Sequence, residues 1–171
     1  KAPGAFTSQV IAELVDEVLL VVEPALEHAV SLLLQIEKTV VEGAGAAGLA
    51  AILDNPDRFA GRKVGLVLCG GNIDTRLLAN VLLRDLVRSG RMARLRITLQ
   101  DRPGALFRVM GVFDAHNVNI LEIHHQRIFT SLPAKGLFTE IECEARDENQ
   151  MRGLVAALRD KGYSVEEVAV D

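Results

Sequence analysis

"RLRITLQDRPGALFRVMGVF", residues 94–113, changes rhythm halfway along. Leu95, Ile97 and Leu99 alternate with Arg96, Thr98 and Gln100, the period of a half-buried strand. Then Leu106, Val109, Met110 and Phe113 recur at i, i+3, i+4 and i+7, the stripe of a helix with one apolar face. Asp101, Arg102, Pro103 and Gly104 form the seam between them. Pro103 suits a first helical turn because it has no N–H to lose. Asp101 can cap the helix through its carboxylate. Gly104 has two readings. A missing side chain lets a ligand approach the free N–H groups of the helix start. It equally lets the helix lie close to a neighbouring strand.

The pattern after the seam continues with a strand at 119–127, a loop holding Pro133 and Gly136, and a strand over 137–143. Asp147 and Gln150 then open a helix in the manner of a capping box. Met151, Leu154, Val155 and Leu158 are its stripe, Gly162 ends it, and a last strand covers 163–170. The order β-α-β-β-α-β is the ferredoxin-like arrangement. His124 and His125 are neighbours on a strand, so they point to opposite faces and no shared metal is expected. Glu140, Glu142 and Glu144 fall on one face, read as solvated, opposite Thr139, Ile141 and Cys143. An RNA-binding sheet of this topology would need exposed aromatics and a basic surface. The sequence offers neither.

Residues 1–90 read as an α/β segment, with the joint to the second domain, 91–171, in the charged stretch at 88–93. Apolar runs at 17–22 and 63–72 look like buried parallel strands. Pro24 opens a helix bearing Leu26, Ala29, Val30 and Leu33. "VVEGAGAAGLAAIL", residues 40–53, is a glycine turn running into an Ala-rich helix that Asn55-Pro56 breaks. Asp74 caps a further helix carrying Leu78, Val81, Leu82 and Leu86.

With 171 residues, 49% of them hydrophobic, the chain can bury a core, and disorder is not expected. A net charge of −4 without a basic block argues against nucleic acid and anionic membranes as partners. The apolar runs are too short to span a bilayer. Two cysteines in different halves, Cys69 and Cys143, fit a reducing compartment better than a disulfide framework. A cytoplasmic location is therefore expected.

The stretch "ITLQDRPGALFRVMGVFDAHNVNILEI" resembles the ACT domain family, and the resemblance spans the whole βαββαβ pattern. It implies a regulatory module for small amino acids, paired with a second ACT domain in a homo-oligomer. By that resemblance Asp101 and the backbone at Gly104 meet the effector's charged groups, and Asn119 reaches in through its amide, with Asn117 a weaker candidate. The physics agrees, since helix N–H groups suit a carboxylate and Asp101 suits an ammonium.

The first half is similar to fold-type II pyridoxal-phosphate enzymes of the threonine dehydratase family. "KAPG" at 1–4, "VDEVLLVVEPALEHAV" at 15–30, Glu-Gly-Ala-Gly-Ala at 42–46 and Cys-Gly-Gly-Asn at 69–72 carry the resemblance. It implies conversion of L-threonine to 2-oxobutanoate and ammonia, with pyridoxal 5′-phosphate as cofactor and an amino-acid effector, isoleucine biosynthesis being one setting. Cys69 then faces the pyridine nitrogen. A neutral thiol does not force that nitrogen to be protonated, which favours prompt β-elimination over a long-lived carbanion. Cys69 also has a plainer reading as a small buried hydrophobe. Its place at the carboxyl end of an expected strand favours a ligand role. Gly70 and Gly71 let the backbone near the ring, Asn72 lines the rim or serves the turn, and Glu42 lies near the ring or merely charges a helix start.

The family's Ser-x-Lys-x-Arg-Gly-type motif, whose lysine forms the Schiff base, has no counterpart around Lys1, Lys38, Lys63, Lys135 or Lys161. Nor is there a Gly-rich phosphate loop. The expectation is a C-terminal portion of such an enzyme, holding no catalytic residue and inactive alone. Two other readings stand beside it. One is a non-catalytic amino-acid-binding module. The other is a serine dehydratase or racemase of the same fold type.

Overall fold

The structure, a computed structural model, describes residues 4–126 and 136–168. The chain divides into two compact units, one running to Val81 and the other starting at Leu82. The division falls inside a helix rather than at the expected joint of 88–93.

In the first unit α1 is Ala5–Leu14, α2 Glu23–Gln35, α3 Gly43–Asp54 and α4 Pro56–Phe59, and α5 Thr75–Arg88 continues into the second. Helix α1 has no buried residue, and the sequence pattern did not announce it. Helix α2 starts where Pro24 placed it and buries Ala25, Ala29, Val30 and Leu33. Helix α3 stops at Asp54 before the Asn55-Pro56 break. Asp74 caps α5 by accepting the Leu77 N–H at 3.0 Å. The core joins α2, α3 and the Val81 end of α5, with Val41, Ala46 and Ala50 inside it.

Two expectations fail in this unit. Neither 17–22 nor 63–72 is a strand, and both lie largely open to solvent. Leu20 keeps 93% and Val67 85% of their surface. An all-apolar parallel strand needs paired neighbours on its edges and cover on both faces. Among the described residues neither segment joins a sheet.

The second unit follows its pattern closely. Strand β1 is Met92–Gln100, α6 Ala105–Ala115, β2 Asn119–Gln126, β3 Gly136–Glu144, α7 Glu148–Asp160 and β4 Ser164–Glu167. The strands form one antiparallel sheet in the order β2-β3-β1-β4. Leu95, Ile97, Leu99, Leu137, Ile141 and Val165 face the helices and pack with Val109, Phe113, Met151, Leu154 and Leu158. The cap forms in a variant of the box: Asp147 Oδ1 accepts the Gln150 N–H at 2.9 Å, and Gln150 Oε1 reaches past the cap to accept the Arg146 N–H at 2.7 Å. Gly162, at φ +84°, ends α7. The expected loop at 127–135 and the end of the last strand lie outside the described residues.

The other sheet face is not simply solvated. Arg96 and Arg94 lie across from Glu140 and Glu142 in the β1–β3 register. They pair with them at 2.6 and 2.5 Å. The two glutamates keep only 21% and 25% of their side-chain surface. The face read as solvated is one of partly exposed ion pairs, because the polar side of β1 supplies cations in step.

Candidate functional site

The first unit gathers the residues around Cys69. The Glu42 N–H donates to the Gly70 carbonyl at 2.6 Å, joining the turn before α3 to the turn after 63–68. A Cβ on Gly45 would overlap the Cys69 carbonyl oxygen. Gly45 thus allows the first turn of α3 to lie directly on the Cys69 backbone. Gly70 sits at φ +76°, and a Cβ there would strike the Glu42 carboxylate. Gly71 comes near the Val40 carbonyl. Glu42, Cys69, Gly70 and Gly71 therefore meet at one place, and Asn72, exposed like Cys69 to Gly71, follows in the chain. Cys69 is exposed in this chain. Gly45 is the residue sequence reasoning passed over; its signal was the small-residue rhythm Gly43, Gly45, Gly48 along one helix.

In the second unit the seam resolves differently from the expectation. The helix begins at Ala105 with Gly104 as its N-cap, and no side chain caps it. Asp101 and Pro103 precede the helix, so Asp101 is not its cap. Gly104 adopts φ +77°, the left-handed region that favours glycine. A Cβ there would meet only the tip of the Arg108 side chain at 3.2 Å, with no strand backbone nearby. The glycine is thus required by the turn itself, and the N–H end of α6 is left open to its surroundings.

The sheet register separates the other effector candidate. Asn119 lies opposite Glu144, which lies opposite Met92. Asp101 follows Gln100 at the far end of β1. Eight residue steps separate Met92 from Gln100, roughly 26 Å. Asp101 and Gly104 stand at one end of the sheet and Asn119 at the other. Asn117, at φ +51°, serves the turn out of α6. Its carbonyl accepts from Gln150 Nε2 at 3.2 Å.

His124 and His125 do point apart. His124 pairs with Glu122 at 3.1 Å on the charged face, and His125 meets Thr139 Oγ1 at 3.2 Å on the helix side. Among the described residues no group of His, Cys, Asp or Glu is arranged to hold a metal ion. No described helix is long and apolar enough to cross a membrane.

A four-stranded antiparallel sheet with both helices on one face defines the second unit as a ferredoxin-like module. Residues 93–160 match the model of the ACT domain family, and this part of the chain is an ACT domain. The similarity to known proteins runs further. The chain is 36% identical over 165 residues to an L-threonine ammonia-lyase of Thermotoga maritima, covering 96% of this chain and 41% of that protein. It is 39% identical over 166 residues to an L-threonine ammonia-lyase of Geobacter sulfurreducens, covering 97% and 41%. An L-threonine dehydratase catabolic TdcB of Staphylococcus aureus (strain bovine RF122 / ET3-1) is 40% identical over 85 residues, covering 48% and 25%. The chain thus spans about two-fifths of the length of the first two relatives.

Proposed function

We propose that this chain belongs to a pyridoxal-phosphate-dependent threonine ammonia-lyase, as its C-terminal portion, converting L-threonine to 2-oxobutanoate and ammonia in the cytoplasm. The observation that carries the reading is the meeting of Glu42, Gly45, Cys69 and Gly70 in a chain similar over 96% of its length to such an enzyme. These residues fit one edge of an aromatic cofactor: an exposed thiol, a carboxylate beside it, and glycines where side chains would block approach. When bound, pyridoxal 5′-phosphate supplies the electron sink for loss of the substrate's Cα proton and β-hydroxyl. Cys69 would meet the ring nitrogen without charging it, Gly70 and Gly71 would admit the ring, and Glu42 and Asn72 would border it. The lysine that anchors the cofactor is supplied by no motif of this chain, so the chain alone is expected to be inactive.

The ACT domain would sense a small amino acid and shift activity through different affinities for two states. Its site needs two copies. Strand β2 is an edge, with Leu121 45% and Ile123 39% exposed and Phe107 of the neighbouring α6 81% exposed. Antiparallel pairing of β2 with its copy sets the N-terminal end of one beside the C-terminal end of the other. The partner's Asn119 would then reach the end of the sheet that holds Asp101 and Gly104. A homo-oligomer paired through its ACT domains supplies the site that one chain splits.

The test uses the enzyme encoded by the whole reading frame. Production of 2-oxobutanoate from L-threonine, with loss of turnover in Cys69→Asp, supports the reading. Unchanged turnover in that variant, with cofactor absorbance intact, removes Cys69 from its role. A higher kcat/KM for L-serine, or racemised product, transfers the chain to the serine dehydratases or racemases. Amino-acid binding by a protein with no lyase activity makes it a regulatory module instead.

A further inference from the structure

A cavity of about 260 Å³ opens at one end of the ACT sheet, between the β1–α6 turn and the α7–β4 turn. Thr98, Leu99, Gln100, Arg102, Ala105, Arg108, Lys161, Gly162 and Tyr163 line it. Its three charged residues come from three separate segments, and all are cations. The lining holds no carboxylate. Among the described residues neither Arg102, Arg108 nor Lys161 is held in an ion pair. Arg108 does not extend away from the helix start; its Nη1 lies 3.2 Å from where a Gly104 Cβ would be. A cation over the positive end of a helix is electrostatically unfavourable, and two more cations at the same cavity add to the repulsion. Such an arrangement is offset by an anion carrying more than one charge.

We propose that this cavity binds the phosphate group of a small phosphomonoester. Phosphate suits it better than a carboxylate. Two guanidinium forks match its oxygens, and its charge of nearly −2 answers three cations rather than one. The cavity is larger than a phosphate group, and the ring of Tyr163 gives the remainder of the molecule a flat wall. The cavity takes one wall from the β1–α6 turn, the turn that also carries Asp101 and Gly104 of the proposed effector site, and the other wall from the α7–β4 turn on the side away from β2. The two sites are neighbours on one turn, and Lys161 and Tyr163 belong to the phosphate site alone.

The test titrates the 171-residue chain with inorganic phosphate and with pyrophosphate, at constant ionic strength, by calorimetry and by backbone amide shifts. The expected result is saturable binding that moves the amides of 98–108 and 161–163. Arg102→Gln and Lys161→Gln should each weaken it by roughly tenfold, the loss of one charge-assisted hydrogen bond. Arg152→Gln, a cation elsewhere on the ACT domain, should leave it unchanged. These side chains are exposed, so the variants keep the fold, and an unaltered melting temperature without ligand verifies it. Absence of saturable binding overturns the proposal. So does equal weakening by Arg152→Gln, or citrate binding more tightly than pyrophosphate. Titration with amino acids, read at Asn119, reports separately on the effector site.

Discussion

The two units are built from similarly apolar sequence, yet they bury it very differently. The ACT domain encloses large side chains completely, Phe113, Leu95, Ile97, Ile141 and Leu154 among them. The first unit encloses alanines and valines with the single leucine Leu33, and leaves Leu20, Val67 and Phe6 outside. The difference lies in pairing rather than hydrophobicity. A strand alternating Leu95, Ile97 and Leu99 needs one covered face, and its own α6 and α7 cover it. A run such as Val64 to Leu68 needs two covered faces and two paired edges. The glycine contacts at Gly45 and Gly70 nonetheless hold the Cys69 turn in place, so local geometry at the site does not depend on a large core.

That contrast can be broken by substitution. Phe113→Ala should cost about 3–5 kcal/mol and remove most of the ACT domain's stability, read by urea unfolding followed at far-UV wavelengths. Leu33→Ala in the first unit should cost nearer 2 kcal/mol, because looser surroundings collapse into the space. Equal losses would erase the distinction between the two cores. Gly104→Ala should cost about 1–2 kcal/mol through the left-handed backbone alone, with the sheet intact by amide exchange. Arg96→Gln should cost roughly 0.2–1 kcal/mol, and the loss should shrink in high salt.

The remaining contrasts are chemical. Cys69 is exposed, whereas burial pushes the Cys143 thiol up to about 12. A disulfide reagent should therefore titrate one thiol in the folded chain and the second only in denaturant. Asp147 accepts the Gln150 N–H and a hydrogen bond from Arg146, and both hold its carboxyl below the usual carboxylate range. A depressed carboxyl contributes stability above its unfolded pKa and loses it as pH falls through the folded value. Melting temperature should thus drop on acidification below about pH 4. Asp147→Asn should flatten that limb of the curve.

The ACT half was legible because each of its signals is local. Alternation in 94–100, the stripe of 106–113 and the Asp147–Gln150 cap each involve residues a few positions apart, and neighbours in the chain also complete the core. The strands at 17–22 and 63–72 were misread because an apolar run reports what a segment requires, not whether a partner meets it. Asp101 was misread as a cap because Gly104 shifts the helix start three residues later than Pro103 suggested. The spacing of Arg94 and Arg96 against Glu140 and Glu142 was visible, but their pairing depends on register, which crosses more than forty residues of chain. The separation of Asp101 from Asn119 depends on that same register.

The ladder of arginines and glutamates has a consequence for how the ACT domain can associate. One sheet face is shut by helices and the other by matched charges, so growth is open only sideways, through an edge. The two edges are unequal: β2 runs for eight residues and β4 for four. Joining β2 of one copy to β4 of the next would propagate into an endless ribbon, and the short β4 offers little purchase for it. Joining like to like through β2 closes after two copies. Unequal edges of this kind favour a closed pair over an open ribbon wherever such a sheet extends sideways.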